Sequence, residues 1–369
     1  MSIQIPLYFL FTINYVGDMF TLSGFFHSTH KTLLAEVSYM RATRLTDAPI
    51  IFPELHASIG ENIQGPSLIK VPSWIPSPLG KYYLYFADHK GSYIRLAYSE
   101  SLAGPWKIYP PGSLQLSNSH FLTKPPDAPK EELEKIEKQR QDDRGTGFRW
   151  SSDELPHDLF TELTTPHIAS PDVHVDDENK EIVMYFHGLE ALGTQVTRRS
   201  VSKDGINFSV YPEVLSRSYL RAFRHAGETY ALVMPGQIYR FQGGLPPLES
   251  GPLLFNRNMR HSALLKIEDR LHVFWSQVGD TPERILMSVI DIGMDWLDWH
   301  ETDAVEVLRP ERFWEGCDSP LERSVRSVAY GHVNQLRDPA IFCEGGHIYL
   351  LYSTAGESGI GIAELTELS

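Results

Sequence analysis

Arg337-Asp338-Pro339-Ala340-Ile341-Phe342, continued through Gly346-His347-Ile348-Tyr349-Leu350-Leu351-Tyr352-Ser353, reads as a strand, a turn at Glu344-Gly345-Gly346 and a second strand. Alternating apolar residues on either side of a glycine turn signal a β-hairpin. The same phrase stands near the start of the chain, where Gly65-Pro66-Ser67-Leu68-Ile69-Lys70-Val71 leads to Gly80-Lys81-Tyr82-Tyr83-Leu84-Tyr85-Phe86-Ala87. It stands again where Ser170-Pro171-Asp172-Val173-His174-Val175 leads to Ile182-Val183-Met184-Tyr185-Phe186-His187. Weaker copies begin at Tyr219 and Arg260. Five hairpins with unequal spacers, most followed by outer strands (93–98, 195–201, 284–290), predict radial repetition of small antiparallel sheets. The expected fold is all-β: a five-bladed β-propeller.

At 369 residues, with 27 Gly and 25 Pro, the chain suits one turn-rich repeat domain. A net charge of −14 argues against nucleic acid or an anionic membrane as partner, because both select basic surfaces. It leaves room for a basic pocket and an anionic small substrate. Two cysteines, Cys317 and Cys343, make neither a disulfide framework nor a zinc motif. Cys343 alternates with apolar neighbours and is expected in the core. Sparse cysteine places a reducing compartment, the cytoplasm, slightly ahead of secretion. Residues 5–26 are largely apolar but carry Asp18, with no Lys or Arg ahead of them, so they fit neither a signal peptide nor a spanning helix. They are expected to pack on the propeller.

Residues 1–60 read as an N-terminal extension that also closes the ring, since the last blade lacks a fourth strand. The propeller proper covers 61–369. It is interrupted at about 111–166 by a partly helical insertion, whose Lys130-Glu131-Glu132-Leu133-Glu134-Lys135-Ile136-Glu137-Lys138 is a solvated helix with i,i+4 charge pairs. Too polar for a core, the insertion is expected over one face as a lid.

Asp-Pro-Ala-Ile at 338–341, Ser-Pro-Asp-Val at 170–173, Lys-Tyr-Tyr-Leu-Tyr-Phe at 81–86 and the Gly104-Pro105-Trp106 blade ending resemble the five-bladed propeller glycosidases. That superfamily holds the arabinanases and β-xylosidases of glycoside hydrolase family 43, the fructan hydrolases and the family acting on agar oligosaccharides. The resemblance covers roughly 61–110 and 167–365. It implies a carbohydrate-active enzyme, a glycoside hydrolase working on a short plant or algal oligosaccharide. It also implies a first-blade Asp-Pro that supplies the base. Here that position is Gly65.

Propeller geometry gathers the residues that begin each copy and end each hairpin around a central funnel. Two carboxyl groups must flank a sugar bond for hydrolysis. Asp338 and Asp172 are the expected pair, two residues apart in their copies and so on the same side of an alternating strand. His261 or Glu315, in Trp314-Glu315-Gly316, is the expected proton donor. Asn62, Gln64, His89, His167, His187, Arg221, Arg260 and Arg337 are the expected substrate contacts. Two alternatives stay open: a lyase using these histidines and arginines on a uronic acid, and a sugar-binding propeller without catalysis. No cofactor is expected. Relatives carry an axial calcium or water cluster, but no spacing here specifies a metal site and none is assigned.

Overall fold

In Tyr82–Ala87 every residue is buried, because the strand's two faces pack against two different neighbours. Tyr82, Leu84 and Phe86 join Ala340, Phe342 and Leu351 on one side. Tyr83, Tyr85 and Ala87 join Val173, Ile182 and Met184 on the other. A strand buried on both faces reads as a continuous apolar run, and its alternation serves only to divide it between two cores. Five such cores lie between successive sheets, each drawing on two blades. That arrangement is a closed ring.

The computed structural model describes residues 39–142, 158–242 and 245–368. Blade one is β2 (Gln64–Lys70), β3 (Tyr82–Ala87), β4 (Tyr93–Ser99) and β5 (Lys107–Gln115). Blade two is β6 (Ile168–Asp176), β7 (Glu181–Ala191) and β8 (Thr194–Ser202), with its outer edge split into β9 (Ser209–Val210) and β10 (Ser216–Arg217). Blade three is β11 (Leu220–His225), β12 (Glu228–Val233), β13 (Gln237–Gln242) and β14 (Leu245–Leu253). Blade four is β15 (Met259–Ile267), β16 (Arg270–Gln277), β17 (Ile285–Asp291) and β18 (Val305–Leu308). Blade five is β19 (Arg337–Glu344), β20 (His347–Thr354) and β21 (Gly359–Leu368), and its outer strand is β1 (Tyr39–Arg44) from ahead of blade one. All sheet pairings are antiparallel, so the five-bladed propeller stands.

The insertion carries α1 (Lys130–Asp142), with a Lys130–Glu134 pair at 3.6 Å, and α2 (Leu159–Thr164), capped by Asp158. It starts later than expected, because β5 runs on to Gln115. Cys343 is exposed rather than in the core, as is Cys317. The apolar run at 5–26 lies outside the described residues. Among the described residues no helix is long and apolar enough to cross a membrane.

Candidate functional site

One residue of each blade enters the axis with a left-handed backbone: Gly65 (φ 62°), Ser170 (50°), Tyr219 (63°), His261 (45°) and Asp338 (46°). In blades one, two, four and five the ladder to the second strand slips there, resuming at Ser67, Asp172, Ser262 and Ala340. Left-handed backbone costs a non-glycine residue roughly 1–2 kcal/mol. Four of the five bear side chains all the same, and strain kept at matched positions marks a site the fold holds in place. These residues meet. The Tyr219 ring stacks on His261 at 4.9 Å, and its hydroxyl donates to Asp338 Oδ1 at 3.1 Å. His261 Nδ1 lies 3.3 Å from that same oxygen, and Ser353 donates to Oδ2 at 3.2 Å. The Arg221 guanidinium sits 4.1 Å from the Tyr219 ring centre.

Over this hub opens a cavity of about 360 Å³. Of the residues expected at the funnel, Gln64, His89, His187, Arg260 and His261 line it. Asp338 is fully buried behind the wall, in contact with Tyr219 and His261. Asn62 braces Glu357 and the His89 backbone, each at 2.8 Å. Arg221 donates to the Ser262 and Ser170 carbonyls, and Arg337 to Gln335, Ser327 and Glu357. His167 is wholly buried, with Nδ1 2.7 Å from the Thr165 carbonyl and its ring edge-on to His187.

Two expected catalytic residues are not at the cavity. Asp172 was placed by strand alternation, but the left-handed Ser170 and the slipped register break that parity. Asp172 is therefore the counterpart of Ala340, while Ser170 is the counterpart of Asp338. Its carboxylate turns between blades two and three, accepting the Ala222 amide at 2.9 Å and pairing with His174 at 2.7 Å. Glu315 is also wholly buried, tying the closure strand down. It accepts Arg44 through two bonds of 2.7 and 2.8 Å, the Tyr352 hydroxyl at 2.9 Å and the Glu311 amide. A carboxylate so enclosed and so paired has no route to a substrate.

Gly65 is fixed by space as well as by φ: a Cβ there would lie 2.9 Å from the Ser170 Cα. An aspartate cannot be restored at this position without moving blade two. The residues around the axis also do not fit calcium. That ion takes roughly six to eight oxygen ligands, whereas the hub presents the Arg221 guanidinium and the His261 imidazole. Among the described residues no group of three or more His, Cys, Asp or Glu could hold a metal ion.

Several site residues gave no signal in sequence. Glu162, on α2, lines the cavity, pairs with Lys90 at 2.8 Å and accepts the Ser327 hydroxyl. Glu283 is wholly buried, takes Arg260 through two bonds of 2.9 and 3.0 Å and lies 3.2 Å from Arg337. Arg217, Arg257 and Arg326 complete the wall. Tyr219 could have been found, since it opens the third copy where Asp338 opens the fifth. Glu357 stands among the funnel positions, but its role needs the structure: it receives Arg337 and Asn62, with His89 at 3.3 Å.

Burial, reinforced by Glu357, pushes the Asp338 carboxyl up to about 6 against the pull of Arg260. Burial acts the same way on Glu357, but His89 and Arg337 override it and hold that carboxyl at about 2. Glu162 is likewise held at about 2 by Lys90 and His89 despite its burial. Burial, and then nearby cationic groups, push His187 and His261 well below the ordinary imidazole value. Burial and Lys90 bring His167 down to about 3.

A histidine depressed in the fold contributes stability that is complete above pH 6.5 and lost as pH falls towards 3. The His167 part amounts to about 1.4 kcal/mol per pH unit over that window. Urea unfolding at pH 7 and pH 4.5 should show the loss, and His167→Gln should shrink the difference between the two. An unchanged difference would rule His167 out as its source.

No family model matches this sequence. "Uncharacterized protein R118" of Acanthamoeba polyphaga mimivirus is 33% identical over 330 residues, covering 82% of this chain and 83% of that protein. The chain belongs to the family of this mimivirus protein. Among solved structures, the GH43_1 enzyme from Xanthomonas citri is 10% identical with a TM-score of 0.51, over 89% of this chain and 91% of that one. CoXyl43, a GH43 β-xylosidase/α-arabinofuranosidase from a compost microbial metagenome, is 10% identical with a TM-score of 0.50, over 90% of this chain and 96% of that one; its structure holds xylotriose and is calcium-free. This mimivirus family therefore shares the five-bladed propeller fold of the family 43 glycoside hydrolases.

Proposed function

We propose that the chain is a carbohydrate-active enzyme that cleaves a glycosidic bond in the axial funnel, with imidazoles transferring the protons. The observation that carries this is the approach of two cavity-lining histidines to buried carboxylates, both at 3.3 Å: His89 hydrogen-bonds Glu357, and His261 Nδ1, without a hydrogen-bond partner of its own, faces Asp338. A carboxylate behind an imidazole orients it and stabilises the imidazolium formed as a proton moves. Glu162, held at about 2, stays ionised and is too weak a base to share the work. Among the described residues the cavity thus lacks the two free carboxyls that flank the bond in carboxylate-based glycosidases. The histidine pairs take their place. Hydrolysis is the first reading, supported by the fold that the chain shares with family 43 enzymes.

Elimination from a uronic acid is favoured by a separate feature: neutral His261 stands beside Arg260, with Tyr219 still protonated because burial raises its phenol well above 10. That set offers a base, a cation for the carboxylate and a proton donor. A panel of neutral and acidic oligosaccharides, read by mass spectrometry, separates the two. Hydrolysis adds one water per cleavage. Elimination adds none and leaves an unsaturated, ultraviolet-absorbing ring. Binding without turnover across the panel would reduce the protein to a sugar-binding propeller.

A further inference from the structure

We infer that Tyr219 is a positioning residue for the proton-transferring imidazole: its ring fixes the plane of His261, and its hydroxyl holds the Asp338 carboxyl beside that ring. The inference rests on the imidazole reading of the funnel and adds the group that sets the imidazole up. Of the five matched left-handed residues at the axis, those of blades three, four and five touch one another. Tyr219 is 2% exposed, stacks on His261 with 29° between the rings, and donates to Asp338 Oδ1. It is held in its turn. The Arg221 guanidinium lies over its ring, and Arg221 is bonded to the Ser262 and Ser170 carbonyls.

The hydroxyl and the imidazole compete for one oxygen. Tyr219 bonds Oδ1 at 3.1 Å, while His261 Nδ1 stands 3.3 Å from it without a hydrogen bond. In the resting state the phenol has the oxygen. Burial raises that phenol well above 10, so it stays a donor throughout the working pH range. When His261 takes a proton its N–H becomes charged, and a charge-assisted bond to a carboxylate is roughly twice as strong as a neutral one. The imidazolium then draws Oδ1 to itself. A contact that strengthens as the proton arrives lowers the barrier, whereas one already complete in the resting protein does not. The other groups around Asp338 act elsewhere on it. Ser353 donates to Oδ2, and Glu357, Arg260, His89 and Arg337 act through their charge. Tyr219 is the donor on the oxygen that His261 faces.

The test compares Tyr219→Phe, which keeps the stack and removes the hydroxyl, with Tyr219→Leu, which removes both. In either variant Asp338 loses a donor to its charged form. Its titration should therefore move up from about 6 by about one unit, the tenfold worth of one hydrogen bond to a charged group. NMR of the full chain with isotope-labelled aspartate reads that titration without any substrate, the Asp338 signal being the one lost in Asp338→Asn. Turnover of the panel oligosaccharide that the native protein cleaves fastest should show the same shift in its inflection. Above the shifted inflection, kcat in Tyr219→Phe should stay about three- to tenfold below native, since the carboxylate is no longer kept from the resting imidazole. In Tyr219→Leu the imidazole also loses its fixed plane, and kcat should fall about tenfold to a hundredfold at every pH with KM little changed. If the titration and the inflection are both unmoved in Tyr219→Phe, the inference falls and the imidazole reading stands. Losses of kcat that are equal in the two variants and follow their melting temperatures would make Tyr219 a packing residue, which overturns the inference as well. Loss of turnover at every pH in Tyr219→Phe would make the hydroxyl itself the proton donor, as elimination requires, and would overturn the positioning role. A moved titration with no panel member cleaved would support the hold of Tyr219 on Asp338 and sink the carbohydrate reading.

Discussion

Glu283→Gln should lower stability by about 3–5 kcal/mol, the cost of leaving a buried charge without its partner. Glu283 has no solvent exposure, accepts both Arg260 nitrogens and the Ser276 hydroxyl, and approaches Arg337 Nε at 3.2 Å. Arg337 passes the chain of charges on to Glu357, and Glu357 to Asn62 and His89. Three blades are joined by this one line of ion pairs: four through Arg260 and Glu283, five through Arg337 and Glu357, one through Asn62 and His89. A glutamine keeps the size of the side chain and an acceptor but strips its charge, leaving two buried guanidinium groups to share Glu357. The effect should appear as a lower urea midpoint with an unchanged slope. In the double variant Arg260→Met, Glu283→Gln most of the loss should return, because the uncompensated cation has gone with its partner. A loss below about 1 kcal/mol in the single variant would mean that water reaches the network and screens it.

The same network shows where sequence reasoning reached and where it stopped. Hairpin repetition was enough for the ring, because each inner pair of strands is buried on both faces and therefore stands out as an apolar run. Tyr82–Ala87 and Glu181–Ala191 are examples. Asp338 and His261 were legible because they open their copies. Asp172 misled because alternation was counted across a left-handed residue, and one such residue is enough to shift the parity. Glu315 misled for another reason: a loop acid beside a tryptophan looks the same whether it faces a substrate or an arginine, and Arg44 lies 271 positions away. Arg217, Arg257 and Arg326 come from an edge strand and two connecting segments, where no periodicity points to an axis. Glu162 sits in an insertion whose charges all read as solvated. The hub was written in the repeats; the wall of the cavity was written in the loops between them.

Asp338→Asn should make the protein both more stable and less active. Asp338 titrates at about 6 in the fold against 3.8 in the unfolded chain. Its protonated form is the one the fold prefers, so its contribution is complete below pH 3.8 and is lost as pH rises through 6. At pH 7 the ionised, buried carboxylate costs up to about 3 kcal/mol. Asparagine removes that cost, still accepts from the Tyr219 hydroxyl, and tolerates the left-handed backbone at φ 46° better than most residues. The gain should be seen in the melting temperature at pH 7 and should vanish at pH 4. The catalytic effect has the opposite sign. Above pH 6 the carboxylate 3.3 Å from His261 Nδ1 stabilises the imidazolium that proton transfer creates. Turnover should therefore rise through pH 6 in the native protein, and that inflection should be absent in Asp338→Asn. His261→Ala removes the transferring group itself and should lower kcat by about 10²–10⁴-fold, with a much smaller change in KM. On the proposed mechanism, a fold that carries an ionised aspartate at its hub at a cost in stability, when asparagine would fit, does so for the chemistry of the histidine beside it. If Asp338→Asn is more stable and fully active, or if His261→Ala keeps native turnover, the hub is a structural keystone and the bond is broken elsewhere in the cavity.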